Sequence, residues 1–262
     1  MSGSAKRSRL VASVAAAAVV MVAGGSPSDA RAAELRLSPT ADSSIFFDRA
    51  GSGNFDAVSD SLGESLWTSV TMSGVVRRAL IQFDLSEVPA GQRVVAASLD
   101  LYLERAQGSH DVSLHRVLTA WGEGGSRSAS GLGAPATAGD PTWTWADYLD
   151  RRWDTPGGDF VSTPSAVTFV DDEARSYRWA SPELLADVQG WLGDPAGNHG
   201  WILVGREDLE RNAFRFSSRE GFVPPRLTLQ LAPIPEPGTL LMLATGMAVI
   251  AWRRYRGNRS AA

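Results

Sequence analysis

The sequence predicts an all-β domain, a sandwich or barrel with one short helix, and three observations carry that expectation. Short apolar runs with a period of two recur between residues 45 and 231, separated by clusters of Gly, Pro, Ser and Asp; such alternation marks strands with one buried face. A single stretch, 181–192, places its apolar residues at helical spacing instead. The 262 residues include no cysteine, so a disulfide framework, a thiol nucleophile and a thiolate-bound metal are all excluded and stability must come from packing.

In chain order, Lys6, Arg7 and Arg9 precede an apolar run over 10–23, and Ala30, Arg31 and Ala32 supply a small-x-small pattern that a signal peptidase accepts. Residues 1–33 therefore read as a secretory signal peptide, with the mature chain starting near Ala33 or Glu34. An uncleaved anchor is the alternative, although the apolar run falls short of the ~20 residues a span needs. The domain proper is expected over 34–232. Its clearest strand sets Val95, Ala97, Leu99, Leu101 and Leu103 on one face against Ala96, Ser98, Asp100 and Tyr102 on the other. One face is then buried and the other wet. Further strands are expected at 45–48, 66–72, 78–83, 112–118, 166–170, 175–179, 201–204, 213–216 and 226–231. Pro89, Ala90 and Gly91 make a turn between two of them.

The helix starts at Ser181 as N-cap with Pro182 in the first position, presents Leu184, Leu185, Val188, Trp191 and Leu192, and stops at Gly193, Asp194 and Pro195. Residues 122–139 are small, polar and glycine-rich, which reads as a mobile loop.

Past residue 232 the pattern changes. Pro235, Glu236 and Pro237 are followed by an apolar run and then by Arg253, Arg254, Tyr255 and Arg256. Residues 237–255 amount to about 19 residues or ~28 Å of helix, enough to cross a hydrocarbon core. Trp252 and Tyr255 suit the interface, and the arginines stay on the cytoplasmic side. This order resembles the PEP-CTERM sorting signal, also known as the ice-binding protein C-terminal domain motif, a name that says nothing of ice. The resemblance implies an exosortase as processing partner, acting near the tripeptide after export, and hence a transient transmembrane anchor in the inner membrane. A plain tail anchor is the alternative, and it too leaves the domain outside the cytoplasm.

The middle of the chain carries a second resemblance. "RRALIQFDLSEVPAGQRVVAASLDLYL", "VSLHRVLTAWGEG", "DPTW", "WDTPGGDF", "DVQGWLGDPAGNHGWILVG", "RFSSRE" and "PPRLTL" follow one another between about residues 41 and 231. Together they resemble the DNRLRE domain, which is related to disaggregatase repeats and to jelly-roll carbohydrate-binding modules. The resemblance implies a jelly-roll-like antiparallel β-sandwich found on surface enzymes, adhesins and matrix proteins; it fixes no ligand.

Charge narrows the partners. Residues 1–32 carry a net +3 and residues 235–262 a net +3 within a full-chain −4, which leaves −10 for residues 33–234. An acidic exported domain argues against nucleic acid.

The densest aromatic and acidic stretch suggests a ligand. Trp143, Trp145, Tyr148 and Trp153 alternate with Asp140, Asp147, Asp150, Asp154 and Asp159. Aromatic faces stack on pyranose rings while carboxylates accept hydroxyls, so a polysaccharide surface is expected, with exopolysaccharide as partner. The competing reading makes Trp143 and Trp153 core residues that tie down a long loop. Calcium is the one candidate ion, with Asp42, Asp48 and Asp140 as candidate ligands and Asp56 and Asp60 nearby in sequence. No EF-hand loop occurs. His110, His115 and His199 form no recognisable catalytic motif, and Asp171, Asp172 and Glu173 are neighbours in a turn rather than a pair across a cleft. A non-enzymatic role is therefore expected, with a polysaccharide lyase or hydrolase, or a purely structural biofilm component, as alternatives. Arg219 with Glu220, and Arg77 with Arg78, are expected to act as ion pairs or backbone clamps.

Overall fold

A computed structural model describes residues 33–51, 57–234 and 245–252. The expected signal peptide up to Ala32, Asp56, and the sorting residues Pro235, Glu236, Pro237, Arg253 and Arg254 lie outside these. Residues 245–252 are helical, and among the described residues no helix is long and apolar enough to cross a membrane.

The strands are β1 (Ala33–Leu37), β2 (Ala41–Asp48), β3 (Val58–Asp60), β4 (Ser65–Val70) and β5 (Val75–Gln82). There follow β6 (Gln92–Ala106), β7 (His110–Arg116), β8 (Ala134–Pro135), β9 (Trp145–Asp147) and β10 (Arg151–Arg152). Then come β11 (Ala166–Val170), β12 (Ser176–Trp179), helix α1 (Pro182–Gly193), β13 (Trp201–Val204), β14 (Phe214–Ser217) and β15 (Arg226–Pro233). Pairing is antiparallel, and the fold is the expected all-β sandwich. One layer runs β8, β3, β2, β5, β13, β7, β11. In the other, β1 pairs β15, β15 pairs β6, and both β12 and β14 pair β6 further along. Strand β4 pairs both β14 and β5, which joins the layers at a corner.

Between the layers lies the main core. Leu99, Leu101 and Leu103 of β6 meet Leu227 and Leu229 of β15, Ile81 of β5 and Leu203 of β13, all with no exposed surface. Trp179, Trp201, Phe214 and Phe216 are also wholly buried. Their indole N–H groups are satisfied: Trp179 donates to the Val112 carbonyl at 2.8 Å and Trp201 to the Asp187 carboxylate at 2.9 Å. Helix α1 covers part of this core with Leu184, Val188 and Trp191, the last edge-on to Trp201 at 4.6 Å. Ser181 caps it, accepting from the Leu184 N–H at 2.9 Å.

One register differs from the expected pattern. Val94 is buried at 1% and Val95 exposed at 36%. A bulge between Gln230 and Leu231 pairs Leu229 with Ala97 but Leu231 with Val94, so alternation slips by one residue at the start of β6.

The first layer is buried on its outer face as well. Ile45, Leu80 and Ile202 point away from the main core and are covered by Val117, Trp121, Ala146 and Trp153. The segment 118–160 is therefore a cover, and its glycine-rich part is tied to the sheet rather than free. Strand β8 pairs β3, the Gly122 N–H donates to Ala146 at 3.0 Å, and wholly buried Asp140 accepts from the backbone of Ser126 and Thr137.

Arg219 clamps three segments. Its backbone N–H donates to Asp42 at 2.7 Å, its guanidinium pairs with Glu123 at 2.9 Å and Glu220 at 2.8 Å, and it also donates to the Thr40 carbonyl. Burial, with Glu220 and Glu123 nearby, pushes the Asp42 carboxyl up to about 8.

Two outcomes follow from this packing. Trp201→Ala removes a wholly buried ring, which costs about 3–5 kcal/mol and should lower Tm by roughly 10 °C in a circular-dichroism melt. Asp42 binds its proton more tightly in the folded state than in the unfolded chain, so its contribution to stability is greatest below about pH 4 and is lost as pH rises towards 8. Between pH 5 and pH 9 the wild type should therefore lose roughly 5 °C of Tm more than Asp42→Asn, which can still accept from Arg219; parallel curves for the two proteins would contradict the assignment.

Candidate functional site

The sequence-predicted aromatic set does not form one platform. Trp153 is 4% exposed, sits in the outer cover and donates to the Thr142 carbonyl at 2.8 Å, so it offers no face to a ligand. Trp143 is half-buried, stacked on Phe47 at 5.2 Å with the Arg78 guanidinium 4.6 Å over its ring. Arg78 is itself fixed by Glu207 at 2.7 Å and by the Gly157 carbonyl. These two tryptophans pin the cover. Trp145 and Tyr148 remain as a half-exposed pair, edge to face at 6.0 Å, with Arg152 4.1 Å over the Trp145 ring.

The expected calcium ligands are not brought together. Asp42 and Asp48 stand six residues apart on β2, on the order of 20 Å along an extended strand, so they cannot share an ion. Asp42 is used by Arg219, Asp48 accepts from the Ala50 N–H at 2.9 Å, and Asp140 is spent on its own loop. Among the described residues no group of three or more His, Asp or Glu side chains is placed to hold a metal ion.

Two of the histidines meet a serine: His115 Nε2 lies 2.9 Å from the Ser113 Oγ, and His110 meets Ser69. Its Nε2 lies 2.9 Å from the Ser69 Oγ, and its ring stacks on Phe214 at 4.2 Å. Ser69 has no exposed surface, and burial brings His110 down to about 4, so the pair serves the interior of the corner.

A different surface has the form of a binding site. On β4, Leu66 and Thr68 turn inward, which turns Trp67 outward; on β14, Phe214 and Phe216 turn inward, which turns Arg215 outward. Cross-strand register sets Trp67 opposite Arg215 and Arg215 opposite Arg105 of β6, a row of three side chains across the sheet. Trp67 and Arg215 are shared by two adjoining hollows. One, of about 320 Å³, is lined also by Arg77, Arg105, Gln107 and Leu132; the other, of about 690 Å³, by Tyr102, Glu104, Arg127 and Phe222.

Arg77 is the unusual member. It is 3% exposed, its guanidinium carbon lies 4.7 Å over Trp67, and it donates to the Gly131 carbonyl at 3.0 Å. Its Nε has no partner among the described residues, and burial lowers it to about 10 with no carboxylate offsetting the effect. By contrast Arg215 is paired with Glu104 at 2.8 Å. The cover closes on this place through Gly131, where an added Cβ would lie 2.5 Å from the Arg77 Nη1 and 2.8 Å from the Trp67 ring. Neither Trp67, Arg105 nor Phe222 falls in a motif the sequence singles out, and Arg215 does so only as the first residue of "RFSSRE". The available signal was alternation: a tryptophan and an arginine on the wet face of otherwise buried strands.

Comparison with known proteins speaks to the C-terminus. No curated protein matches the chain. The model of the PEP-CTERM protein-sorting motif matches residues 233–256, which supports an exported chain that is anchored at the membrane before processing by an exosortase.

Proposed function

We propose that this exported, exosortase-sorted protein is a non-enzymatic surface or matrix component whose sandwich binds acidic exopolysaccharide in the Trp67 groove. The observation that supports it is Arg77, a buried guanidinium without a carboxylate, lining a solvent-open hollow. Burying an unpaired charge is costly, and an anionic ligand supplies the missing partner. Arg105, Arg127 and Arg215 line the same hollows against Glu64 and Glu104, so the local balance is cationic within a domain that is acidic as a whole. Trp67 and exposed Phe222 add the apolar faces on which sugar rings stack. The sequence resemblance to the DNRLRE domain agrees with a surface-attached sandwich of this kind, and signal peptidase is the enzyme that would release the N-terminus.

Affinity electrophoresis of the processed protein tests this. A gel containing polygalacturonate should retard the wild type and a neutral dextran gel should not, and raising the salt should weaken the retardation. Trp67→Ala and Arg105→Gln should each reduce affinity about tenfold, equivalent to ~1.4 kcal/mol. The melting temperature of the exposed Arg105 variant should be unchanged, whereas the Trp67 variant also loses the ring that packs on Arg77 and should melt a few degrees lower. Trp145→Ala, on the loop cover, should bind as the wild type does. Unaltered retardation of the Trp67 and Arg105 variants would remove the groove from the account.

A further inference from the structure

The sorting tripeptide follows the sheet with no spacer. Pro233 is the last residue of β15 and pairs with Gln92, and the Ile234 N–H donates to the Gly91 carbonyl at 2.9 Å. Pro235 is the next residue, and the sorting motif itself begins at residue 233. The first residue of the motif is thus held in the folded sheet and the second against the turn beside it. An enzyme that grips a tripeptide in an extended cleft also needs the backbone on either side of it free. Ile234 cannot be held by the turn and by the cleft at once.

This end of β15 is built to come away. Strand β1 flanks β15 up to Leu231, opposite Ala33, and among the described residues reaches no further, so Ala232 and Pro233 are paired only with β6. The bulge between Gln230 and Leu231 interrupts the ladder just before them. Pro233 has no N–H to give to the ladder. Ile234 is 52% exposed, and its one backbone bond is to a turn held by Gly91 at φ +79°. Strand ends with few bonds and little buried surface open at a small fraction of the global unfolding cost.

We infer that Ala232, Pro233 and Ile234 must leave Arg93, Gln92 and Gly91 before the exosortase can take Pro235, Glu236 and Pro237, and that this unpairing sets the rate of processing. The sandwich itself stays folded throughout. The enzyme then acts on the opened fraction alone, and its apparent affinity for the chain is reduced by that fraction.

The experiment uses the full-length chain in membranes that contain its exosortase, with the processed fraction followed over time by its change in mass. A six-residue Gly-Ser insertion between Ile234 and Pro235 frees the tripeptide without touching the sheet and should raise the initial rate several-fold. Because the chain has no cysteine, Gln92→Cys with Pro233→Cys supplies one defined cross-strand pair, at a Cα spacing a disulfide accepts. Oxidised, it should be processed several-fold more slowly than when reduced, while both forms keep the wild-type melting transition or a higher one. An insertion that leaves the rate unchanged or lowers it, or an oxidised pair processed as fast as the reduced one, would overturn the inference. Neither outcome depends on whether the Trp67 groove binds a glycan.

Discussion

Strand β5 is buried on both faces, and most of the molecule can be read as a response to that. Its eight residues include Ala79 and Ile81, which fill the space between the layers, and Leu80, which points the other way and is equally hidden. A sandwich strand ordinarily leaves one face to water. Here the outer face needs a cover, and the segment 118–160 provides it. The cover has little secondary structure of its own, so it is held by tryptophans and by side chains that cap its turns: Trp121 donates to the His199 carbonyl at 2.9 Å, and Asp159 accepts from the Asp154 and Thr155 N–H groups.

This accounts for what the aromatic residues are doing. The stretch richest in tryptophan and aspartate looks like a ligand surface in sequence because both uses call for the same residue types. Flat rings bury large areas whether the other surface is a sugar or a sheet. Trp143 and Trp153 are consumed by the cover, and the acidic side chains around them cap backbone groups. The open hollows lie elsewhere, where single outward residues of β4, β14 and β6 line up only through strand register.

The sequence was informative where period and punctuation were strong. Helix α1 sits where Ser181, Pro182 and the 184, 188, 191 spacing placed it, and the alternation of Leu227, Leu229 and Leu231 survives intact in β15. It was misleading where a non-local partner decided the outcome. The bulge opposite Leu231 exchanges Val95 for Val94 in the core, and nothing in the β6 run announces it. Residues 122–139 have the composition of a loose loop, yet their glycines allow the close approaches that loops pressed on a sheet require, as Gly131 does against Trp67. Asp42 and Asp48 share a chemistry and a strand but not a place. The groove was least legible of all, since adjacency of Trp67, Arg215 and Arg105 depends on residues more than a hundred positions apart pairing in one register.

Strand β6 is long enough to separate two electrostatic neighbourhoods. Gln92, near its start, pairs with Pro233, two residues ahead of the sorting tripeptide, while Arg105, thirteen positions later, stands in the groove. At about 3.3 Å per residue this is roughly 40 Å along the strand, about five Debye lengths at physiological salt. A charge near the Gln92 end of the strand therefore exerts almost no pull on Arg105 at the other end. The chemistry of the sorting end and the chemistry of the groove are thus electrically insulated from each other within a single strand.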